Sequence, residues 1–263
     1  MHIVHLLPEL NQGGVENIVC ILNNLSTNTG YSSTVISNGG RLEQTILDNN
    51  GRHIKVNLKS KNLFTYFKRA YKLKNIFCNI KPDILHVHSR APAWITYLAN
   101  KQLGIPVIST IHGFNHISFY SKIMLKANKV VCVSSSVKQY IISNYNFNNN
   151  LHVIHNGVDE SYFNDDKLTN KDKMINKYNL HGCFIVSSIG RFTELKDFET
   201  FIEGIELANK TNPDIRGIIS GYVSMDKRDY YNKIKKLIKD KNLEKIIYII
   251  LDIPDVRLIY SIS

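Results

Sequence analysis

The feature that most constrains this chain is an alternation of short apolar runs with longer segments of helical periodicity. The apolar runs are too short for helices and rich in β-branched residues, which favours strands buried on both faces of a sheet. Strands separated by single helices are typical of an α/β fold with a parallel, doubly wound sheet. The predicted strands are residues 3–7, 31–36, 54–58, 83–88, 106–111, 129–134 and 151–154. The predicted helices between them are residues 15–25, 42–49, 63–80, 91–103 and 137–144.

The alternation stops at residues 156–172, which are polar and acidic, and resumes beyond them. We therefore predict two domains, residues 1–157 and 158–263, joined by this polar stretch. The second domain is predicted to hold strands at 184–189, 215–220 and 246–251 and helices at 196–210 and 226–241. With so few strands it is expected to be an incomplete Rossmann-like domain, whose ligand-binding switch point has hardly formed.

Composition favours a globular protein with anionic partners. The hydrophobic content of 43% allows a sizeable core. The chain has 33 Lys and Arg against 22 Asp and Glu, and the net charge of +11 suits nucleotide diphosphates, acidic lipid surfaces or nucleic acid. No recognisable nucleic-acid-reading motif is present, so nucleic acid is not an expected partner.

Three features favour a cytoplasmic location. The N-terminus has no basic region followed by a long apolar run, so it does not resemble a signal peptide. The longest apolar run, residues 246–251, is far shorter than the roughly 20 residues that span a bilayer. Cys20, Cys78, Cys132 and Cys183 lie far apart without a C-x-x-C pair, which predicts reduced thiols in the core. Any membrane contact is therefore expected to be peripheral.

Gly13 and Gly14 form a turn between the first predicted strand and the first predicted helix. Such a turn lets the backbone approach a ligand closely, and the helix N-terminus presents free N–H groups to an anion. The alternative is an ordinary tight turn. The sequence contains neither the G-x-G-x-x-G motif nor the P-loop motif, so no nicotinamide cofactor is expected.

Arg191 and Lys196 are candidates for diphosphate binding. Arg191 follows the first predicted strand of the second domain, and Lys196 opens the next predicted helix. Arginine offers a fixed fork of donors and lysine a point charge, so together they could neutralise a diphosphate leaving group. Two solvated surface charges are the alternative, but a position at the carboxyl end of a strand favours binding.

His112 is a candidate catalytic residue at the end of a predicted strand. Gly113 leaves the imidazole uncovered, so His112 could hydrogen-bond a sugar hydroxyl or shuttle a proton. A structural role is the alternative. His86 and His88 share a face of one strand, but no further ligand stands at a recognised spacing, so no metal site is expected. The absence of a G-x-S-x-G elbow argues against an α/β-hydrolase.

Residues 55–81 combine positive charge with apolar side chains and contain no acidic residue. A helix with one apolar side and a basic remainder can lie on an anionic membrane surface. The alternative is a core-packed helix with a solvated basic face. The basic residues are Lys55, Lys59, Lys61, Lys68, Arg69, Lys72, Lys74 and Lys81. The interleaved apolar residues are Leu63, Phe64, Phe67, Tyr71, Leu73, Ile76 and Phe77.

Six segments in this order resemble the retaining GT-B glycosyltransferases of family 4, and the resemblance extends to about Tyr260. They are Gly-Gly-Val-Glu at 13–16, Asp-Ile-Leu-His-Val-His-Ser-Arg-Ala-Pro-Ala-Trp at 83–94, Thr-Ile-His-Gly at 110–113, Val-Cys-Val-Ser-Ser-Ser at 131–136, Val-Ile-His-Asn-Gly-Val-Asp at 153–159, and the segment from Gly-Arg at 190–191 to Lys-Asp at 196–197. The resemblance implies two Rossmann-like domains facing each other across a cleft. The N-terminal domain would receive the acceptor, and the C-terminal domain would hold a nucleotide-sugar.

The resemblance also implies roles for the candidate residues. Gly13 and Gly14 would approach the donor phosphates and sugar, and His112 would lie near the transferred sugar. Arg191 and Lys196 would bind the diphosphate as it leaves, and Arg90 would face the acceptor. Fixed cations lower the barrier to breaking a glycosyl–phosphate bond without a metal, so neither a metal nor a cofactor is expected.

Family members also carry a pair of glutamates that contact the donor sugar and the nucleotide ribose, and these cannot be mapped before Ser263. We therefore expect a C-terminally truncated second domain with weak or absent transferase activity. The expected reaction moves a sugar from a nucleotide-sugar donor to a cell-envelope glycan or lipid-linked acceptor with retained anomeric configuration. The alternative is a non-catalytic remnant that binds an acceptor or a membrane surface.

Overall fold

The computed structural model describes residues 1–11, 13–60, 62, 64–158, 160–163, 171–251, 253 and 255–263. The chain divides into two compact units, Met1–Val158 and Asp159–Ser263. Each unit holds parallel strands alternating with helices, so the predicted α/β class is confirmed.

The N-terminal unit is built on seven parallel strands. They are β1 (His2–Leu6), β2 (Ser32–Ser37), β3 (Arg52–Lys55), β4 (Ile84–Val87), β5 (Val107–Ile111), β6 (Lys129–Cys132) and β7 (Leu151–Val153). The helices are α1 (Gly14–Asn28), α2 (Glu43–Asp48), α3 (Tyr66–Ile80), α4 (Arg90–Asn100) and α5 (Ser135–Tyr145), with a 3-10 helix at Ser121–Lys126. The strand order is β3-β2-β1-β4-β5-β6-β7. The order reverses between β1 and β4, so their carboxyl ends form the switch point where such sheets bind ligands.

Both faces of this sheet are covered, which explains why consecutive residues of β2, from Ser33 to Ser37, are all buried. Val35 and Ile36 are neighbours on β2 and are both fully buried. Val35 belongs to a cluster with Val19 of α1 and Ile46 of α2. Ile36 belongs to the larger cluster that includes Leu73 of α3. Burial of one such side chain contributes about 1.5–3 kcal/mol relative to exposure, so helices on both faces stabilise the sheet.

The C-terminal unit holds three parallel strands, β8 (Phe184–Ile189), β9 (Ile215–Gly221) and β10 (Ile247–Leu251), in the order β10-β9-β8. Its helices are α6 (Glu160–Phe163), α7 (Lys171–Tyr178), α8 (Phe198–Thr211), α9 (Arg228–Asp240) and α10 (Arg257–Tyr260). Ile218 and Ile219 of β9 are fully buried in separate clusters, so this sheet is also covered on both faces. Among the described strands of this unit, the order runs in one direction without a reversal.

The third strand and the polar connection differ from the prediction. The third strand, predicted at 54–58, is Arg52–Lys55. Its register explains the difference, because Lys55 pairs with Ser37, the last residue of β2. The predicted polar connection at 156–172 contains α6 and the start of α7. Its residues 159 and 164–170 lie outside the described part of the chain.

All four cysteines are free thiols, but only two lie in the core. Cys20 and Cys132 are buried, whereas Cys78 is exposed and Cys183 is half-buried. The expectation of core thiols is therefore wrong for Cys78 and Cys183. Cys78 follows the buried Phe77 on α3, and the helical turn places it on the solvent side.

Within the described ranges, every helix is too short or too polar to cross a lipid bilayer.

Candidate functional site

Three histidines meet at the switch point of the N-terminal sheet. His5 lies on β1, His88 directly follows β4, and His112 directly follows β5. These strands are neighbours in the sheet, so their carboxyl ends lie side by side. Nδ1 of His5 is 3.2 Å from Nε2 of His88, and Nδ1 of His88 is 3.2 Å from Nε2 of His112. The three imidazoles therefore form one hydrogen-bonded chain.

His86 lies beside this chain without joining it. Its Nε2 is 2.7 Å from the hydroxyl oxygen of Thr110, and its ring centroid is 4.1 Å from that of His88. In the β1–β4 register it pairs with His5. His86, two residues before His88, thus packs against the hydrogen-bonded imidazoles from the same side of β4.

Burial keeps the clustered imidazoles uncharged at neutral pH. It lowers the pKa of His5 to about 4 and that of His112 to about 4. It lowers the pKa values of His86 and His88 well below the usual value, and the neighbouring histidines add to this effect. A neutral imidazole has one N–H donor and one acceptor nitrogen. Each ring can therefore donate one hydrogen bond and accept one.

The same cluster offers nitrogen atoms that are close enough for a metal. One nitrogen each from His5, His86 and His88 lie within 4.8 Å of one another. The sequence interpretation recognised only His86 and His88, because His5 comes from a distant strand that pairs with β4 only in the folded sheet. That no metal binds here stays a prediction.

The glycine pair lies at the start of α1. The helix begins at Gly14, and Gly13 is its N-cap without a side-chain cap bond. A Cβ on Gly13 would stand 2.4 Å from Oε2 of Glu16, whereas a Cβ on Gly14 would meet nothing within 4 Å. The Glu16 carboxylate thus occupies the helix N-terminus, where the helix dipole favours negative charge. Because the end of the flexible Glu16 side chain could move aside, this contact does not by itself require glycine at 13, and phosphate binding by the pair stays a prediction.

Arg90 opens α4 and is bound to a neighbouring segment. Its Nη1 donates to Oγ of Ser121 at 3.2 Å, and its guanidinium carbon lies 5.9 Å from the Tyr120 ring centroid. These contacts hold the 3-10 helix Ser121–Lys126 against the start of α4. Its predicted position facing the acceptor stays a prediction, and the structure adds a packing role.

An aromatic segment next to His112 was not singled out from the sequence. Phe114 and Phe119 are exposed, and Trp94 stacks on Tyr120 with ring centroids 6.0 Å apart. The sequence signal that could have indicated this segment is the group Phe114, Phe119 and Tyr120, which follows a predicted strand and lacks helical spacing. The segment 114–120 gives this edge of the sheet an exposed apolar surface.

Arg191 and Lys196 lie in one loop at the carboxyl end of β8. Lys196 does not open the helix as predicted. It ends a 3-10 turn, and α8 begins at Phe198 with Asp197 as its N-cap. The Lys196 side chain instead lies over Gly190. A Cβ added to Gly190 would stand 2.6 Å from Cε of Lys196. The loop therefore brings the lysine stem against the residue that precedes Arg191.

The acidic neighbours of this loop are bound elsewhere. Glu194 pairs with Lys227 at 2.9 Å, and Asp197 accepts a 2.8 Å hydrogen bond from the Thr200 hydroxyl. Arg191 and Lys196 are both exposed, and within the described ranges neither has a hydrogen-bond or ion-pair partner. The loop thus presents two exposed cations without an ion-pair partner among the described residues.

The basic segment 55–81 proves to be mixed. Leu73 and Phe77 pack in the core, but Phe64, Phe67 and Tyr71 are 98%, 70% and 67% exposed. A cavity of ≈ 640 Å³ along this helix is lined partly by Lys68, Tyr71 and Lys72. Lys61 and Leu63 lie outside the described residues.

Several of the basic residues in this segment are already engaged. Arg69 is buried and donates to main-chain oxygens, so it organises the preceding loop and offers no free charge. Lys55 pairs with Glu43 at 3.3 Å, and Lys59 pairs with Glu9 at 2.9 Å. The acceptors of Arg69 are the carbonyl groups of Asn57, Ser60, Asn62 and Thr65.

The family model described as Glycosyltransferase Family 4 matches residues 12–162, more than half of the chain. The chain belongs to glycosyltransferase family 4. No curated protein matches it. A solved glycosyltransferase from Rickettsia africae is 30% identical, with a TM-score of 0.83, and the match covers 100% of this chain and 71% of that one.

Two further solved structures are similar to this family-4 chain in fold. HepE from Anabaena, in complex with UDP and glucose, is 14% identical with a TM-score of 0.83, and the match covers 100% of this chain and 72% of HepE. The catalytic domain of starch synthase IV from Arabidopsis thaliana, bound to ADP and acarbose, is 14% identical with a TM-score of 0.73. That match covers 99% of this chain and 76% of the domain. The GT-B type of glycosyltransferase fold expected from the resemblance is confirmed.

Proposed function

We propose that this family-4 glycosyltransferase transfers a sugar from a nucleotide-sugar donor to a glycan or lipid-linked acceptor, with retention of anomeric configuration. The observation that carries the proposal is the pair of exposed cations Arg191 and Lys196 at the carboxyl end of β8, which have no ion-pair or hydrogen-bond partner in the described part of the chain. Their acidic neighbours are bound to other groups. The pair is therefore free to bind an anionic ligand.

Positive charge at this position suits the chemistry of glycosyl transfer. Breaking the bond between the anomeric carbon and the phosphate oxygen leaves negative charge on the departing nucleoside diphosphate. A guanidinium can bind two phosphate oxygens at once, and an ammonium adds a point charge. The donor diphosphate is already anionic, and cleavage adds negative charge to it, so fixed cations at this place stabilise the transition state more than the ground state and accelerate the reaction.

Structures of relatives support the choice of ligand. HepE has been solved in complexes with UDP and with UDP-glucose, and the starch synthase IV domain with ADP. A nucleoside diphosphate is therefore the first ligand class to test on this chain.

The N-terminal unit is proposed to receive the sugar and the acceptor. His112 would lie near the transferred sugar, and Gly14 would allow the start of α1 to approach the donor. Arg90 and the exposed aromatic segment 114–120 would face the acceptor. Aromatic rings suit both sugar faces and lipid chains, because they combine a large apolar area with a polar edge.

A peripheral membrane contact is a second proposal, which the exposed aromatics of 55–81 favour. Phe64, Phe67 and Tyr71 project into solvent beside the exposed Lys68. Exposed aromatic groups next to basic ones are typical of surfaces that lie on anionic lipid. Such a contact would bring the enzyme to a lipid-linked acceptor. A non-catalytic remnant is not favoured, because the whole chain aligns with a solved glycosyltransferase.

A ligand and turnover panel tests the main proposal. Purified full chain is mixed with nucleoside diphosphates and nucleotide-sugars, thermal shifts are recorded, and the anomeric configuration of any transfer product is read by NMR. We expect stabilisation by at least one diphosphate and a product of the donor's own configuration. A panel without any shift, or a product of inverted configuration, would contradict the proposal.

A further inference from the structure

The hydrogen-bonded chain of His5, His88 and His112 has a direction that the structure determines. Nε2 of His5 is buried and has no hydrogen-bond partner among the described residues. This atom is either an orphaned N–H or an acceptor nitrogen with an unused lone pair. Orphaned buried N–H groups are rarer in proteins than under-used acceptors. The proton of His5 therefore belongs on Nδ1, which faces His88.

Once His5 donates, the protonation of the other two rings follows. Nδ1–H of His5 donates to Nε2 of His88, so the single proton of His88 is on its Nδ1. Nδ1–H of His88 then donates to Nε2 of His112, so the proton of His112 is on its Nδ1. Each ring must be neutral for this assignment, and burial keeps them so.

We infer that His5 and His88 are positioning residues that hold His112 as the Nδ1–H tautomer and present that N–H to the substrate. His112 is partly exposed, and its Nδ1 has no partner within the described ranges, so this donor is available to a ligand. The inference deepens the proposed function and rests on it for the identity of the ligand. His112 would donate a hydrogen bond to a sugar oxygen and would not act as a base at neutral pH.

The hydrogen-bonded chain of His5, His88 and His112, called the relay below, accounts for the cluster better than a metal does. Both nitrogens of His88 already have partners, as does Nε2 of His86. If His5, His86 and His88 held a metal, the 3.2 Å contact between Nδ1 of His5 and Nε2 of His88 would be a contact between two metal ligands and not a hydrogen bond. The hydrogen-bonded arrangement needs no further group.

The tautomer can be read directly by NMR on the full chain. The protein is labelled with 15N in its ten histidines, and long-range proton–nitrogen spectra are recorded at neutral pH. The His112 signals are assigned by their loss in His112→Gln. We expect a protonated Nδ1 and an unprotonated Nε2 in His112. An Nε2–H tautomer of His112 in the wild-type protein would overturn the inference.

Two substitutions of one residue separate positioning from packing. His5→Leu removes the first donor, and an Nε2–H population of His112 is expected to appear. His5→Asn keeps an N–H near the former Nδ1 position and is expected to restore the Nδ1–H form. His86→Leu is the matched control, because His86 touches the relay without belonging to it, and it should leave His112 unchanged. An unchanged His112 in His5→Leu would also overturn the inference.

The spectra are repeated with EDTA and with one equivalent of Zn²⁺. We expect no change in either. Zinc that shifts the His5, His86 and His88 signals together would replace the relay with a metal site. None of these readouts depends on donor binding or turnover, so failure of the relay and failure of the proposed function remain distinguishable.

Discussion

Gly190 and Gly221 lie so close at the carboxyl ends of β8 and β9 that a Cβ added to Gly221 would stand 1.8 Å from the carbonyl oxygen of Gly190. The two strands remain paired up to this point, since the Gly190 amide donates to the Ser220 carbonyl at 2.9 Å. Gly190 also supports the Lys196 side chain. The backbone contact between the two glycines therefore sets the position of the loop that carries Arg191.

Gly221→Ala tests this contact. The added methyl group cannot fit without moving Gly190, and overpacking of this kind typically costs about 1–3 kcal/mol. We expect a lower midpoint of urea unfolding and weaker diphosphate binding. Gly204→Ala is the matched control, because a Cβ there meets nothing within 4 Å and alanine favours the helix. Equal stability of Gly221→Ala and wild type would show that the loop adapts.

Arg191→Ala and Lys196→Ala should each weaken diphosphate binding. A hydrogen bond to a charged group contributes about 1.5–3 kcal/mol, and each 1.4 kcal/mol is about tenfold in affinity, so losses of roughly 10- to 100-fold are expected. Isothermal titration calorimetry measures the change. Arg216→Ala is the control, because Arg216 lies near the amino end of β9 and donates to the Pro213 carbonyl. An equal loss of diphosphate affinity in all three variants would mean that the net positive charge, and not a specific site, attracts the diphosphate.

Acid should destabilise the N-terminal unit through its buried histidines. The pKa values of His5 and His112 are about 4 in the fold, below the 6.5 of an unfolded histidine. Above pH 6.5 the rings are neutral in both states and contribute nothing to the pH dependence. Between pH 6.5 and 4 the unfolded chain binds protons that the folded chain does not. The free energy of unfolding therefore decreases as the pH is lowered through this range.

The expected slope is about 1.4 kcal/mol per pH unit for each such ring. Urea unfolding across this pH range measures it, and His5→Leu should reduce the slope by about one ring's share. His155→Gln alters an exposed ring and should keep the wild-type slope. A flat profile from pH 6.5 to 4 would contradict the burial of neutral imidazoles.

The double substitution Phe64→Ala and Phe67→Ala should reduce binding to anionic vesicles. Both rings are largely exposed and would lose apolar contact with the lipid boundary. Flotation with vesicles of phosphatidylcholine, with and without phosphatidylglycerol, measures the bound fraction. Phe184→Ala removes a ring that is 66% exposed from the other unit and should have no effect. Equal flotation of wild type and the double variant would exclude this surface.

Much of the fold could be predicted because it depends on local patterns. The adjacent apolar residues Val35 and Ile36 of β2 indicate burial on both faces, and the two are buried in separate clusters. The helix α7 was missed, because its sequence is dominated by Lys, Asn and Asp. Its Met174 and Ile175 pack against a cluster that includes Leu180 and Ile218, which follow later in the chain.

The candidate site was less predictable, because side-chain partners are not local. Arg69 looked like one of several free cations, but its guanidinium is surrounded by main-chain carbonyl groups. The sequence predicted that Lys196 opens a helix. In the structure Lys196 ends a 3-10 turn, Asp197 adopts a left-handed conformation, and α8 begins after Asp197. In both residues the charge was visible in the sequence and its surroundings were not.

The sequence by itself determined that this chain is α/β, and it placed glycines, cations and histidines at the ends of its strands. Both follow from residue properties that act over a few positions, namely hydrophobic periodicity and turn preference. Only the tertiary structure decided which strand ends are neighbours. The order β2-β1-β4-β5 brings His5, His88 and His112 into contact, and strand pairing between distant segments leaves no local pattern from which that contact could be inferred.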